Sequence, residues 1–463
     1  MRGNSFDLFR SKGLHEVDPT ISDLLQRELE RQRDSIELIA SESFTWPAVL
    51  EAESSVAGNK YASGFPGRRF YPGCELVDAI ELLAIERART LFGAEHANVQ
   101  PYSGSLANEA VFMACLEPGD TILSLPFHQG GHPTHGYDAN LSGRLYNTVS
   151  YDLDRETSLI DYEQVRSLAL EHRPRLIICG GSAYPRTVQV ERFREIADEV
   201  GALLLCDMAH FAGLVAAGLH PNPVPLCDFV TSTTHKTLAG PRGGFVLCKA
   251  EYTRALDDAV YPVLQGGPLV QSLAAKATCF EIAGSEAFAS FQRRVRENAD
   301  RLAAKLMTAG LEVVTGGTDT HLLLVDLRAT GWSGPDAERR LHEVGVTVNA
   351  ISVPFDKRQP ESTSGLRLGT PALTMRGFDQ EDMSEVAEII VGALDESADL
   401  DALAARAASL CERRPLYPGF DGYCRYSPGS QAPVRRDNVF AMDERSKRWP
   451  LPISAIRVAS AEA

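Results

Sequence analysis

Between residues 94 and 247, short apolar runs alternate with amphipathic stretches. Runs at 121–125, 175–179, 202–207, 229–232 and 244–248 have the length and composition of buried strands. Stretches at 107–116 and 190–200 have helical spacing. Strand–helix alternation of this kind implies a mostly parallel mixed sheet covered by helices on both faces, an α/β fold. Upstream, residues 18–38 place Ile21, Leu24, Leu25 and Leu29 on one side of a helix. Downstream, the pattern predicts a helix over 292–309, strands over 311–314 and 321–326, a helix over 335–343 and a final helix over 380–394. The expected organisation is a helical arm at 1–45, a large domain at 46–299, a smaller α+β domain at 300–405, and a helix end with an irregular tail at 406–463. After Pro415 the chain turns rich in Pro, Arg, Gly and Tyr.

Composition narrows the class. Hydrophobic residues make up 44% and charged residues 23% of 463 residues, as in soluble globular proteins. A net charge of −16 argues against a nucleic-acid surface, which needs clustered Lys and Arg. Nine cysteines are scattered without a CxxC pair, several within apolar runs. This predicts free thiols, no metal centre and a reducing cytoplasm. The first residues lack an apolar leader pattern, and no apolar run is long enough for a membrane span.

Three places carry chemistry. Lys236, in Thr233-Thr234-His235-Lys236-Thr237, follows a predicted buried strand. A desolvated amine there suits imine formation with an aldehyde cofactor; the ordinary alternative is a surface lysine at a strand exit. Asp207 ends another apolar run, at the carboxyl edge where open α/β sheets bind ligands. A carboxylate there would keep a pyridine nitrogen protonated; the ordinary alternative is a helix cap. Ser103-Gly104-Ser105 precedes a helix, and its amides and hydroxyls can cradle a phosphate, although such turns often merely start helices.

Taken together with further motifs, the chain resembles the serine hydroxymethyltransferase family, of fold type I among pyridoxal-phosphate enzymes. The matching stretches include Leu38-Ile39-Ala40-Ser41-Glu42-Ser43, Asn59-Lys60-Tyr61-Ala62, Gln100-Pro101-Tyr102-Ser103-Gly104-Ser105 and Gly130-Gly131-His132-Pro133-Thr134-His135-Gly136. Asp207-Met208-Ala209-His210, Thr234-His235-Lys236-Thr237, Gln265-Gly266-Gly267-Pro268 and the run 363–371 around Arg367 complete the series, over about residues 20 to 415. The resemblance implies pyridoxal 5′-phosphate as cofactor and Lys236 as the Schiff-base lysine. It implies that His132 stacks on the cofactor ring, that Ser182 and His210 lie near its phenolic oxygen, and that Thr233 and His235 join the phosphate site. Arg367 with Ser41 would clamp the substrate carboxylate, a task that suits a forked guanidinium. Gly266 and Gly267 would reach a neighbouring subunit's phosphate. Tyr61 and Tyr71, with Ser63 between them in sequence, would enter the site from the partner of a homodimer or tetramer.

The departures from the family pattern concern folate or its chemistry. Where the family reads Tyr-Ala-Glu-Gly, this chain reads Tyr61-Ala62-Ser63-Gly64, and a serine hydroxyl cannot replace a carboxylate as a base near neutral pH. Phe70, Phe127, Pro133 and Ile351 also stand where the family usually differs. The expectation from these changes is a folate-independent threonine transaldolase, moving a glycyl carbanion to another aldehyde. Serine hydroxymethyltransferase or threonine aldolase activity is the first alternative. A catalytically reduced binding homologue is the second, opposed by the presence of Lys236, Asp207 and Arg367.

Overall fold

The structure, a computed structural model, describes residues 12–358 and 362–420. One compact unit runs from Arg27 to Phe420; of a second unit, residues 12–26 are described. These comprise the short helix Leu14–Val17 and the start of the helix Pro19–Asp34, which continues into the larger unit.

The larger unit is built on a seven-stranded sheet. Its order is His96–Asn98, Gly244–Cys248, Phe229–Thr233, Leu203–Asp207, Leu176–Gly180, Thr121–Ser124 and Asn147–Ser150. The last five strands run parallel, and Gly244–Cys248 is antiparallel to both its neighbours. The central strands are buried at nearly every position because both faces are covered; Leu176–Gly180 and Gly244–Cys248 are mostly apolar, while Phe229–Thr233 ends in three hydroxyl residues. Alternation still sorts their side chains. Leu176 and Ile178 join Phe112 and Val246 in one cluster, while Ile177 and Cys179 join Phe193 and Phe245 in another. Truncating fully buried Phe112 or Phe193 to alanine would cost about 3–5 kcal/mol. The strands expected at 121–125, 175–179, 202–207, 229–232 and 244–248 are present within a residue or so. The edge strands His96–Asn98 and Asn147–Ser150 are too short and polar to stand out in the sequence.

A four-stranded antiparallel sheet follows, ordered Glu312–Val313, Leu322–Asp326, Gly365–Gly369 and Asn349–Ile351. Helices Glu286–Thr308, Gly334–Glu343 and Gln380–Ala393 share its apolar cluster. Two expectations need correction. The helix over 18–38 stops at Asp34, and Ile36–Glu37 is a strand paired in parallel with Val346–Thr347. Ile36 and Leu38 are thereby buried in the second core instead of riding on an arm. The last described helix is Leu400–Arg413, beyond Gln380–Ala393, with Asp399 accepting a bond from the Ala402 amide as its cap. The tail expected after Pro415 is described only to residue 420.

One buried arginine ties distant segments together. Arg376 donates to the carbonyl oxygens of Gln32, Arg33, Ser35, Cys411 and Arg414 at 2.7–3.3 Å. Nearby, Arg33 donates to the carbonyl oxygen of Phe420 at 2.6 Å. Among the described residues no helix is long and apolar enough to cross a membrane.

Candidate active site

The parallel strands end together at Gly180, Asp207 and Thr233, and the chemistry gathers at that edge. Asp207 accepts hydrogen bonds from His135 Nε2 at 3.0 Å, Asn108 Nδ2 at 2.9 Å and the Ala209 amide at 3.0 Å. Burial by itself would raise its pKa, but the His135 bond and charge, with His132 and Lys236, outweigh burial and hold the carboxyl below its ordinary range. Asp207 is therefore an ionised carboxylate in a dry site.

Behind it runs a hydrogen-bonded row. Thr231 donates to Asn108 Oδ1 at 2.6 Å, and Asn108 donates to Thr134 Oγ1 at 2.8 Å. Thr134 Oγ1 lies 2.7 Å from His132 Nδ1. The Thr134 amide donates to the same Nδ1 at 3.3 Å, so Nδ1 is an acceptor, the hydroxyl donates to it and the ring is neutral. Burial, then the neighbouring His135, lowers the His132 pKa to about 4, which agrees with a neutral ring.

Lys236 lies three residues beyond the strand Phe229–Thr233 and is 9% exposed. The next residue anchors it. Thr237 Oγ1 donates to the His210 carbonyl and accepts from the Gly213 amide, both at 2.9 Å. Burial lowers the Lys236 ammonium to about 8 against the pull of Asp207, with Arg367 and Arg242 adding to the fall. Such an amine is partly unprotonated near neutral pH, as a nucleophile must be. Burial, then Lys236 and Arg367, depresses His210, whose Nδ1 lies 3.4 Å from His321 Nε2. His235 is brought down to about 3, by burial first and then by Arg242 and Lys236.

The turn at Ser103 has the build of an anion cradle. Ser103 Oγ caps the helix Gly104–Cys115 by accepting from the Leu106 amide at 3.2 Å. A Cβ on Gly104 would meet Thr233 Cγ2 at 2.6 Å, and one on Gly244 would meet the Ser103 carbonyl at 2.3 Å. Glycine at 244 lets two backbones approach this closely, and glycine at 104 leaves room for the Thr233 side chain. Thr233 Oγ1 is buried without a partner. An orphan hydroxyl beside a helix N-terminus fits a phosphate, and the acidic Asp207 with the neutral His132 fits a protonated pyridine ring.

Arg367 sits mid-strand in Gly365–Gly369, 9% exposed. Nε donates to Asn349 Oδ1 at 3.1 Å and Nη1 to the Ser182 carbonyl at 2.7 Å. Burial lowers its pKa to about 10. Among the described residues no carboxylate lies in ion-pair range of it. A buried cation without a counter-ion is costly and fits an incoming carboxylate. The segment bearing Ser41 reaches this neighbourhood through the Gly369 amide, which donates to the Leu38 carbonyl at 2.8 Å, and through His321 Nε2, 3.1 Å from the Ala40 carbonyl.

The remaining sequence candidates stand elsewhere on the chain. Tyr61 and Tyr71 meet edge-to-face at 5.1 Å and are 60% and 45% exposed, with Phe70 at 71%. No described hydrogen bond or ring contact joins either tyrosine to Lys236, Asp207 or Arg367 within one chain. Ser63 is buried and packs against Gly267, whose carbonyl accepts from Tyr102 OH at 2.6 Å. Ile351 packs against the cluster of Ala183, Val314, Leu324 and Val353. Phe127 leans on Tyr137 at 5.3 Å.

Asn108, Thr134, His135, His321 and Asn349 were not singled out by sequence reasoning for roles. A signal existed for Asn108: a lone amide on the buried side of an apolar helix needs partners. His321 and Asn349 gave none, because strand pairing alone brings them to the site.

A mostly parallel sheet with a desolvated lysine and an ionised aspartate at its carboxyl edge is the arrangement of a fold type I pyridoxal-phosphate enzyme, and the cofactor is pyridoxal 5′-phosphate. The family model for serine hydroxymethyltransferase matches residues 14–390. A serine hydroxymethyltransferase of Kocuria rhizophila is 55% identical over 413 residues, 88% of this chain and 97% of the relative. One from Kineococcus radiotolerans is 57% identical over 410 residues, covering 88% and 94%. The chain belongs to the serine hydroxymethyltransferase family. These likenesses favour the hydroxymethyltransferase alternative over the transaldolase expectation.

Proposed function

We propose that this enzyme transfers a one-carbon group from serine to tetrahydrofolate, cleaving the Cα–Cβ bond to give glycine, methylenetetrahydrofolate and water. The observation that carries an amino-acid substrate is Arg367, a buried cation with no carboxylate beside it among the described residues. The extent of identity to two serine hydroxymethyltransferases supports the particular reaction. When bound, pyridoxal phosphate supplies an electron sink for the carbon that loses a substituent.

The chain's own residues do the rest. Arg367 would hold the substrate carboxylate through Nη2 and the second hydrogen of Nη1, since Nε and one Nη1 hydrogen are already engaged. Asp207, kept ionised by His135 and Asn108, would hold a proton on the pyridine nitrogen. Neutral His132 presents an uncharged ring face beside it. Lys236 would hold the cofactor's aldehyde carbon and, with its lowered pKa, would exchange protons near neutral pH. Ser103, Gly104, Ser105, Thr233 and His235 would hold the phosphate, and Ser182 and His210 would flank the ring's oxygen. Ser41 would assist Arg367.

The active unit in this reading is at least a homodimer. Tyr61, Phe70, Tyr71, Leu76 and Val56 are exposed apolar or aromatic residues, Tyr61 and Tyr71 in contact with each other, and a second copy would cover them. Tyr61, Tyr71, Gly266 and Gly267 would then complete the neighbour's site.

One observation favours a second reading. Ser63 supplies no carboxylate, and Ile351 turns to an apolar cluster. Both changes weaken the case for folate and favour exchange of the threonine side chain for another aldehyde. The deciding experiment incubates the holoenzyme with L-serine or L-threonine, with and without tetrahydrofolate and a panel of aldehydes. Tetrahydrofolate-dependent formation of glycine from serine supports the main reading. Folate-indifferent exchange on threonine, with slow serine turnover, would replace it by the second.

A further inference from the structure

Lys276 lies in the helix Val270–Ala283, away from every motif that the sequence singled out, and is 2% exposed. Burying an ammonium costs several kcal/mol unless it is compensated. The compensation here is three carbonyl oxygens: Val99 at 2.6 Å, Pro101 at 3.0 Å and Gly244 at 2.8 Å. Among the described residues no carboxylate lies in ion-pair range of it, and burial lowers its pKa to about 7 against the more distant Glu81 and Glu53. Three carbonyl acceptors need three N–H donors, which only the ammonium form has, so the geometry favours the charged state.

The three carbonyls are the walls of the phosphate cradle. Val99 and Pro101 lead into Tyr102 and Ser103, and Gly244 lies so near that a Cβ on it would meet the Ser103 carbonyl at 2.3 Å and the Gly104 amide nitrogen at 3.0 Å. The Gly244 amide also donates to the Pro101 carbonyl at 3.0 Å. On the other side of this stretch, Gln265 Oε1 accepts from the Tyr102 amide at 3.0 Å. Lys276 thus draws the carbonyl of residue 101 inward while the next amide is held by Gln265. The ammonium also neutralises three negative carbonyl ends that would repel a dianion arriving at Ser103–Ser105. Its field reaches the site, since it contributes to the depressed pKa of His235.

We propose that Lys276 is a positioning residue for the cofactor phosphate: it shapes and electrostatically prepares the cradle without touching the ligand. This rests on reading Ser103–Ser105 as the phosphate cradle. A strut with no electrostatic role would instead serve any cofactor equally, phosphorylated or not.

The test compares pyridoxal phosphate with pyridoxal, which lacks the phosphate. Affinity of each for the apoenzyme is measured in wild type and in Lys276→Met. Wild type should prefer the phosphorylated form. The variant should lose about 10- to 100-fold in affinity for pyridoxal phosphate, the scale of a charge-assisted interaction, and stay within about twofold for pyridoxal. No preference in wild type would sink the cradle reading itself. A full preference retained by Lys276→Met, or an equal loss for both ligands, would overturn the role of Lys276 alone.

Should the variant fail to fold, wild type answers the question. The chain has eight lysines, so ¹⁵N-lysine labelling gives few ammonium signals, and buried Lys276 should exchange slowly. Both ligands should remove the Lys236 signal; only pyridoxal phosphate should shift that of Lys276. Persistence of the Lys236 signal would refute the catalytic lysine. An equal response of Lys276 to both ligands would refute its coupling to phosphate.

Discussion

Replacing Arg367 with methionine should separate stability from function. In the free protein the guanidinium is a buried cation whose pKa falls to about 10 from 12.5. A shift of that size corresponds to an unfavourable burial term of about 3 kcal/mol. Against it stand two hydrogen bonds, to Ser182 and Asn349, at about 1 kcal/mol each. Methionine keeps much of the stem's packing and removes the charge, so the free protein should lose no more than about 1 kcal/mol and could gain as much. Substrate binding should respond in the opposite sense. Losing a desolvated contact to a carboxylate costs roughly 2–5 kcal/mol, or about 30- to 5,000-fold in affinity. The assay is titration of the holoenzyme with glycine, followed by its spectrum, alongside calorimetric melting with and without glycine. Wild type should melt higher with glycine present, and Arg367→Met should show no such gain. Unchanged glycine affinity would refute the clamp. A large drop in melting temperature with affinity intact would make Arg367 a structural strut between Ser182 and Asn349.

Capture of pyridoxal phosphate by the apoenzyme should accelerate with pH around a midpoint near 8, because burial makes the Lys236 amine lose its proton early; stopped-flow rates with a midpoint near 10 would contradict this. Glu109 is buried with Oε2 unpartnered, and burial raises its pKa to about 7 from 4.5. Between those values the folded chain holds a proton that the unfolded chain has lost, so stability falls as pH rises. Allowing for partial solvent screening, Glu109→Gln should recover about 1–2 kcal/mol at pH 8 and almost nothing at pH 4; denaturant midpoints equal at both pH values would count against it. Mixing Lys236→Ala chains with Tyr61→Phe chains should restore part of the activity through hybrid dimers. Failure to complement, with a monomeric mass in solution, would argue against a shared site.

The parallel sheet was legible because buried strands such as Leu176–Gly180 and Leu203–Asp207 open on unbroken apolar runs, a pattern that few exposed segments share. Lys236 and Asp207 stood out for the same reason, as charges at the ends of such runs. Arg367 emerged only by resemblance, because Gly365–Gly369 mixes glycine and arginine into a strand too polar to recognise. Ile36–Glu37 was assigned to a helix since its apolar residues continue the preceding spacing; pairing with Val346–Thr347, more than 300 residues away, decided otherwise. His321 and Lys276 illustrate a further limit. Their partners come from other elements, so local pattern holds no trace of the network.

Arg376 and Arg33 bring residues 32–35 against 411–420. The two ends of the Arg27–Phe420 unit therefore meet, although almost the whole fold separates them along the chain. A short linker joining them would close a loop at little entropic cost. New ends opened in an exposed turn, such as the one at Gly331, would give a circular permutant. Its small sheet would be divided between the start and finish of synthesis, while every contact drawn by Arg376 remained.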